Sequence, residues 1–113
     1  MADQARSRAL RAVAGRVVYF DDEGFFWEPA DWSPEAADEL ARESGIERLD
    51  ATQWRVISFL REYYAHNGRA PMNRQLRDGT GLSLVELERL FPDGIRNGAR
   101  RLAGLPNPRS CLD

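Results

Sequence analysis

The chain contains a single cysteine, Cys111, third from the end of its 113 residues. A thiolate there is a nucleophile that can take up and hand on sulfur. With no second cysteine it cannot close an internal disulfide. The prolines in the stretch Leu105-Pro-Asn-Pro-Arg-Ser-Cys111 favour extended backbone and keep it from joining a preceding helix. Counted from Gly104, polyproline-like backbone at about 3 Å per residue carries the sulfur roughly 20 Å from the body. That is the geometry of a swinging arm with one reactive atom. The structural alternative is a free cysteine packed as a small buried hydrophobe, or a disordered terminus.

Other chemistries find little support. His66 is the only histidine, which argues against a histidine-based metal site, and its place beside Asn67-Gly68 suits a solvated helix end near the C-terminal dipole. Gly-rich phosphate loops, paired-cysteine metal signatures and Gly-x-Ser-x-Gly elbows are absent, so no cofactor and no metal are expected. All 16 basic residues are arginine, leaving no lysine for Schiff-base chemistry. Trp27, Trp32 and Trp54, with Tyr63 and Tyr64, could stack on bases, but their places in a hairpin, at a helix start and on an apolar stripe favour core packing.

The net charge of −2 hides a division. Residues 1–50 hold 12 acids and 6 arginines, whereas residues 51–113 hold 6 acids and 10 arginines. An acidic front and basic back suit docking on a charged protein better than wrapping a nucleic acid. No apolar run approaches the length of a membrane span, and the start is not a secretory signal, so a reducing cytoplasm is the expected compartment.

These elements must carry the arm. Residues 3–14, rich in alanine and arginine, read as a short helix or a frayed leader ended by Gly15. The apolar runs 16–20 and 25–27 flank turn chemistry at Asp21-Asp-Glu-Gly24, which predicts a β-hairpin. Ser33 with Pro34 opens a helix closed by Gly45, and Asp50 with Gln53 forms a capping box for a long helix ended by Gly68. In that helix Trp54, Ile57, Leu60 and Tyr64 recur at helical spacing. Pro71 opens a short helix through Leu76, Asp78-Gly-Thr-Gly81 reads as a loop, and Ser83 with Glu86 caps another helix that Pro92 closes. Asp93 can cap a last helix through about Leu102. The expected fold is mainly α: four to five helices, an N-terminal β-hairpin and an extended C-terminal arm. The divisions are a leader at 1–14, a helical domain at 15–104 and a mobile arm at 105–113 that carries Cys111.

The helical run 50–67, 71–77 and 83–91 beside a hairpin also has the order of a winged helix-turn-helix, in which Arg74 and Arg77 would face a DNA groove. Asp78 follows directly and dilutes that face. DNA, with Cys111 as a sulfur or redox sensor, is the alternative partner.

Several segments in order resemble the TusE/DsrC family of sulfur-relay proteins. They are Asp21-Asp-Glu-Gly-Phe25, Asp31-Trp32, Gly45-Ile-Glu-Arg-Leu49, Trp54-Arg-Val-Ile57, Arg61-Glu-Tyr-Tyr64, Pro71-Met-Asn-Arg-Gln-Leu76, Leu90-Phe-Pro-Asp-Gly94 and Ala103-Gly-Leu-Pro-Asn-Pro108, with a cysteine near the terminus. The resemblance covers roughly residues 15–113. It implies that Cys111 accepts sulfur as a persulfide and passes it on. Arg100, Arg101, Arg109 and Arg74 are the candidates to support the persulfide or dock a partner. The implied donors are TusBCD-like, TusA-like or rhodanese-like proteins; the implied acceptors are a tRNA thiolase or a sulfite reductase. DsrC proper has a second cysteine eleven residues before the last, where this chain has Arg100, so the resemblance points to the single-cysteine, TusE-like branch or a divergent homologue. Gln53 stands where the family often has histidine and Asp78 where lysine is common; the loop before Ser83 is short, and two residues follow Cys111 where one is usual.

Overall fold

In a computed structural model, described over residues 7–107, the N-terminal hairpin pairs β1 (Arg8–Val13) with β2 (Arg16–Asp21), in register from Arg8 opposite Asp21 to Val13 opposite Arg16. This corrects the predicted partner strand. Ala14 and Gly15 make the tight turn with φ of 51° and 79°, the two positive angles that match the twist of a two-residue hairpin. Helix propensities in the alanine- and arginine-rich segment differ by only tenths of a kcal/mol per residue, and burial of Val13 against Val18 and Phe20 outweighs them. The predicted run 25–27 contributes an isolated bridge, Phe20 to Phe26, rather than a strand. A 3-10 turn at Pro29–Asp31 then leads into the helices.

The helix starts follow their caps. In α1 (Pro34–Glu43) the Ser33 hydroxyl accepts from the Ala36 amide, and Ala36, Ala37, Leu40 and Ala41 are buried. In α2 (Ala51–Asn67) the reciprocal capping box between Asp50 and Gln53 is present, and Gly68 closes the helix in the left-handed conformation. Val56, Ile57 and Leu60 lie in the core, while Trp54 and Tyr64 pack against it from the side. Helix α3 (Asn73–Thr80) runs four residues further than predicted. An interior glycine costs a helix about 1 kcal/mol, but a Cβ on Gly79 would come within 2.3 Å of the Phe59 ring, so the residue that signals a loop permits α2 and α3 to approach. Helix α4 (Leu84–Leu90) starts at the Ser33-like cap of Ser83 with Glu86.

The last helix, α5 (Ile95–Arg100), is π-type and buries Ile95, Gly98 and Ala99. Asp93 does not cap it. Its carboxylate instead accepts from the Ser44 hydroxyl (2.6 Å) and ties the end of α1 to the α4–α5 connection. No helix among the described residues is long and apolar enough to cross a membrane.

Gln53 does two jobs. Its carbonyl accepts from the Asp50 amide (2.8 Å) and its Nε2 donates to the Leu90 carbonyl (2.6 Å), joining the start of α2 to the end of α4. Because the residue is buried, Gln53→Ala is expected to cost about 1–2 kcal/mol in urea unfolding, from half a cap and one orphaned carbonyl.

Candidate functional site

The segment from Ala103 to Asn107 precedes Cys111 in the chain, and the helical body holds this junction from two sides. After α5 the backbone closes through Ala103 N–H to Ala99 O (3.0 Å), Gly104 N–H to Arg101 O (3.0 Å) and Leu105 N–H to Arg100 O (3.2 Å). Gly104, at φ +77°, lies flat on Trp32: a Cβ there would sit 2.5–2.7 Å from the Trp32 Cδ1, Cβ and Cγ. Trp32 is held in turn, its Nε1 donating to the Leu102 carbonyl (2.7 Å).

Arg61, from the middle of α2, completes this side. Its guanidinium lies 4.1 Å from the Trp32 ring centroid, and its Nη1 donates to the Ala103 carbonyl (2.8 Å). A longer contact runs from Nη2 to the Pro29 carbonyl (3.4 Å). Partial burial lowers its pKa from the ordinary arginine value. Arg61 and Tyr64 face Pro29, Ala30 and Leu105 across a pocket of about 170 Å³.

The other side is a buried polar cluster. Asp21 accepts from the amides of Glu23 and Phe25 through Oδ1 (both 2.9 Å), an Asx-type turn, and through Oδ2 from the Asn107 amide (2.9 Å). Asn107 Oδ1 accepts from Arg96 Nη2 (3.0 Å), which also donates to Glu23 Oε1 (3.1 Å). Hydrogen bonds from Asn107 and Arg96 hold the Glu23 carboxyl below its ordinary range. Asp21 and Asn107 are 8% and 6% exposed, so the last described residue is packed as part of the body.

The sequence-predicted site residues are spread around this junction. Cys111 and Arg109 lie outside the described residues. Arg100 reaches away from Arg101: its Nη2 donates to the Pro71 carbonyl (2.6 Å) and to Asn73 Oδ1 (3.3 Å), at the start of α3. Arg101 turns to the hairpin end, with Nη1 to the Gly24 carbonyl (3.3 Å) and Nε to the Asn97 carbonyl (3.1 Å). Desolvation lowers the Arg101 pKa, with the charges of Asp93 and Glu43 opposing it. Arg74 is exposed on α3, one residue beyond the Asn73 that Arg100 grips. Arg77, the other arginine of the groove-facing alternative, sits 3.4 Å from Asp78. His66 is exposed, its Nδ1 3.0 Å from the Glu62 carbonyl oxygen. Among the described residues no cluster of three or more His, Cys, Asp or Glu side chains is placed to hold a metal.

Sequence reading alone passes over Asp21, Asn107 and Arg61 as parts of this junction. The Asx-turn potential of Asp21-Asp-Glu-Gly24 was a local signal for the first, whereas no spacing announces a contact between residues 86 positions apart.

The same chain can be set beside known proteins. The family model described as DsrC like protein matches residues 12–112. Among curated relatives, the dissimilatory-type sulfite reductase subunit gamma of Nitratidesulfovibrio vulgaris is 39% identical over 98 residues, 87% of this chain and 93% of that one. Sulfurtransferase TusE of Salmonella choleraesuis is 35% identical over 105 residues, covering 87% and 95%. Among solved structures, dissimilatory sulfite reductase I (DsrI) superposes with a TM-score of 0.83 at 40% identity, over 88% of this chain and 96% of that chain. The oxidized gamma-subunit (DsrC) from Archaeoglobus fulgidus gives 0.80 at 30% identity, with the same coverage. With its hairpin, its helices and nearly its whole length accounted for, the chain belongs to the DsrC-like protein family.

Proposed function

We propose that this protein is a sulfur carrier whose cargo rides on Cys111. The observation that carries the reading is that the family match runs to residue 112 and so takes in the only thiol of the chain. The transfer is a thiol exchange. The Cys111 thiolate attacks the outer sulfur of a donor persulfide, R–S–SH; a new S–S bond forms at Cys111, the donor's S–S bond breaks, and the donor leaves as R–S⁻. Charge and electrons balance without an external oxidant. Delivery is the same step with a nucleophile of the acceptor in place of Cys111. Two acceptor classes follow: a tRNA thiolase, implied by the resemblance to TusE-like proteins, of which one relative is named a sulfurtransferase, and a dissimilatory sulfite reductase, of which another relative is named a subunit. The single thiol favours the first, because nothing in the chain can resolve the persulfide internally.

Arg100 and Arg101 point to opposite sides of the junction, so they serve this reading as partner-docking groups more readily than as a pair around one sulfur. The test is intact mass after incubation with a cysteine desulfurase and cysteine. The native chain gains about 32 mass units, one sulfur atom, and Cys111→Ser gains none. The variant keeps its stability within about 0.5 kcal/mol, as for a surface substitution. A native chain that takes up no sulfur, or a variant that unfolds, overturns the reading.

A further inference from the structure

We propose that Asn107 is a positioning residue that clamps the chain onto the Asp21 turn and sets the pivot from which Cys111 reaches. The inference rests on the carrier reading above.

Four observations meet at Asn107. Its side chain is spent in both directions, donating to Asp21 Oδ2 at 2.9 Å and accepting from Arg96 Nη2 at 3.0 Å. It is 6% exposed, and Leu105 two residues earlier is 2% exposed, so burial as well as hydrogen bonding anchors the segment. The receiving carboxylate is itself fixed, because Asp21 Oδ1 already accepts the Glu23 and Phe25 amides. Arg96, which closes the cluster, stands 5.1 Å from the centroid of the fully buried Phe25 ring. An amide held at one end by a carboxylate and at the other by a guanidinium makes two charge-assisted hydrogen bonds, each about twice as strong as a neutral one.

The consequence is a shorter lever. Reach measured from Gly104 is roughly 20 Å, whereas Cys111 is only four chain steps beyond Asn107, about 12–14 Å even when fully extended. Chain length then bounds the donor: with Asn107 clamped, its active site must present the persulfide within that distance of the Asp21–Gly24 turn, beside which Arg101 and Glu23 lie. Shortening the lever raises the effective concentration of the thiol at the docked donor and lowers the ordering cost of each transfer.

The lone thiol makes the test direct. A nitroxide attached to Cys111 in the full chain reports its position through broadening of backbone amide signals. In the native chain broadening centres on the Asp21–Gly24 turn. In Asn107→Ala it falls at least threefold there and spreads elsewhere. The reciprocal pair Asp21→Asn with Asn107→Asp rebuilds a carboxylate–amide contact in the reverse sense, leaves a carboxylate for Arg96, and restores the native pattern. Unchanged broadening at the turn in Asn107→Ala overturns the clamp.

A second readout addresses positioning in transfer. Loading of unlabelled Cys111 is timed with inorganic polysulfide, which needs no docking, and with a persulfidated cysteine desulfurase, which does. Asn107→Ala leaves the first rate unchanged and lowers the second about tenfold; equal rates in variant and native protein with both reagents overturn the positioning role. A native chain that loads from neither reagent refutes the carrier reading, while the nitroxide pattern still decides the clamp.

Discussion

Gly104→Ala is expected to destabilise the protein by about 3 kcal/mol, read as a fall in Tm of about 10 °C. Two costs add. Alanine at φ +77° sits in the left-handed region, worth about 1 kcal/mol. The new Cβ would then meet Trp32 at 2.5–2.7 Å, and the atoms met include Trp32 Cβ and Cγ, near its backbone rather than at a free tip. Trp32 has little room to yield, since its Nε1 is bonded to Leu102 and Arg61 covers its ring. Gly81→Ala is the control. Its φ of +76° is nearly the same, but no atom lies within 4 Å of the added methyl, so it should lose only about 1 kcal/mol. Equal losses in the two variants would show that the Trp32 approach contributes nothing.

Arg61→Ala should cost about 2–3 kcal/mol in urea unfolding, followed by tryptophan fluorescence. The guanidinium satisfies the Ala103 carbonyl and leans on Trp32, and a charged hydrogen bond plus a cation–π contact are together of this size. The expected loss is net of a smaller gain, because removing a half-buried cation relieves the desolvation that lowers its pKa. Arg61→Lys should recover less than half. A single ammonium cannot lie flat on the indole and also donate to carbonyls on two segments. A full recovery by lysine would reduce the role of Arg61 to simple charge.

How much of this was legible in the chain depended on whether the information was local. Ser33, Asp50, Gln53, Ser83 and Glu86 announced their helices because a cap is a contact between residues three apart. The hairpin partner is hidden from the sequence because alanine and arginine favour helices only weakly, while Val13, Val18 and Phe20 share one buried face. Gly79 signals a loop locally, but its purpose is Phe59, twenty positions away. Asp93 has the form of a cap, but its partner is Ser44, at the end of α1. The same boundary ran through the candidate site. The thiol and its prolines stood out by residue type, while Asp21, Arg96 and Asn107 make a cluster only after the fold brings the two ends of the chain together.

The brace formed by Arg100 bears on how cargo could leave. Its guanidinium grips the Pro71 carbonyl and Asn73, so Arg100 serves as a tie between α5 and the start of α3, and the chain offers no second thiol there or elsewhere. On the carrier reading, a sulfur atom once accepted has no exit within the molecule. Its lifetime is set by encounter with an external nucleophile, which makes discharge depend on acceptor concentration.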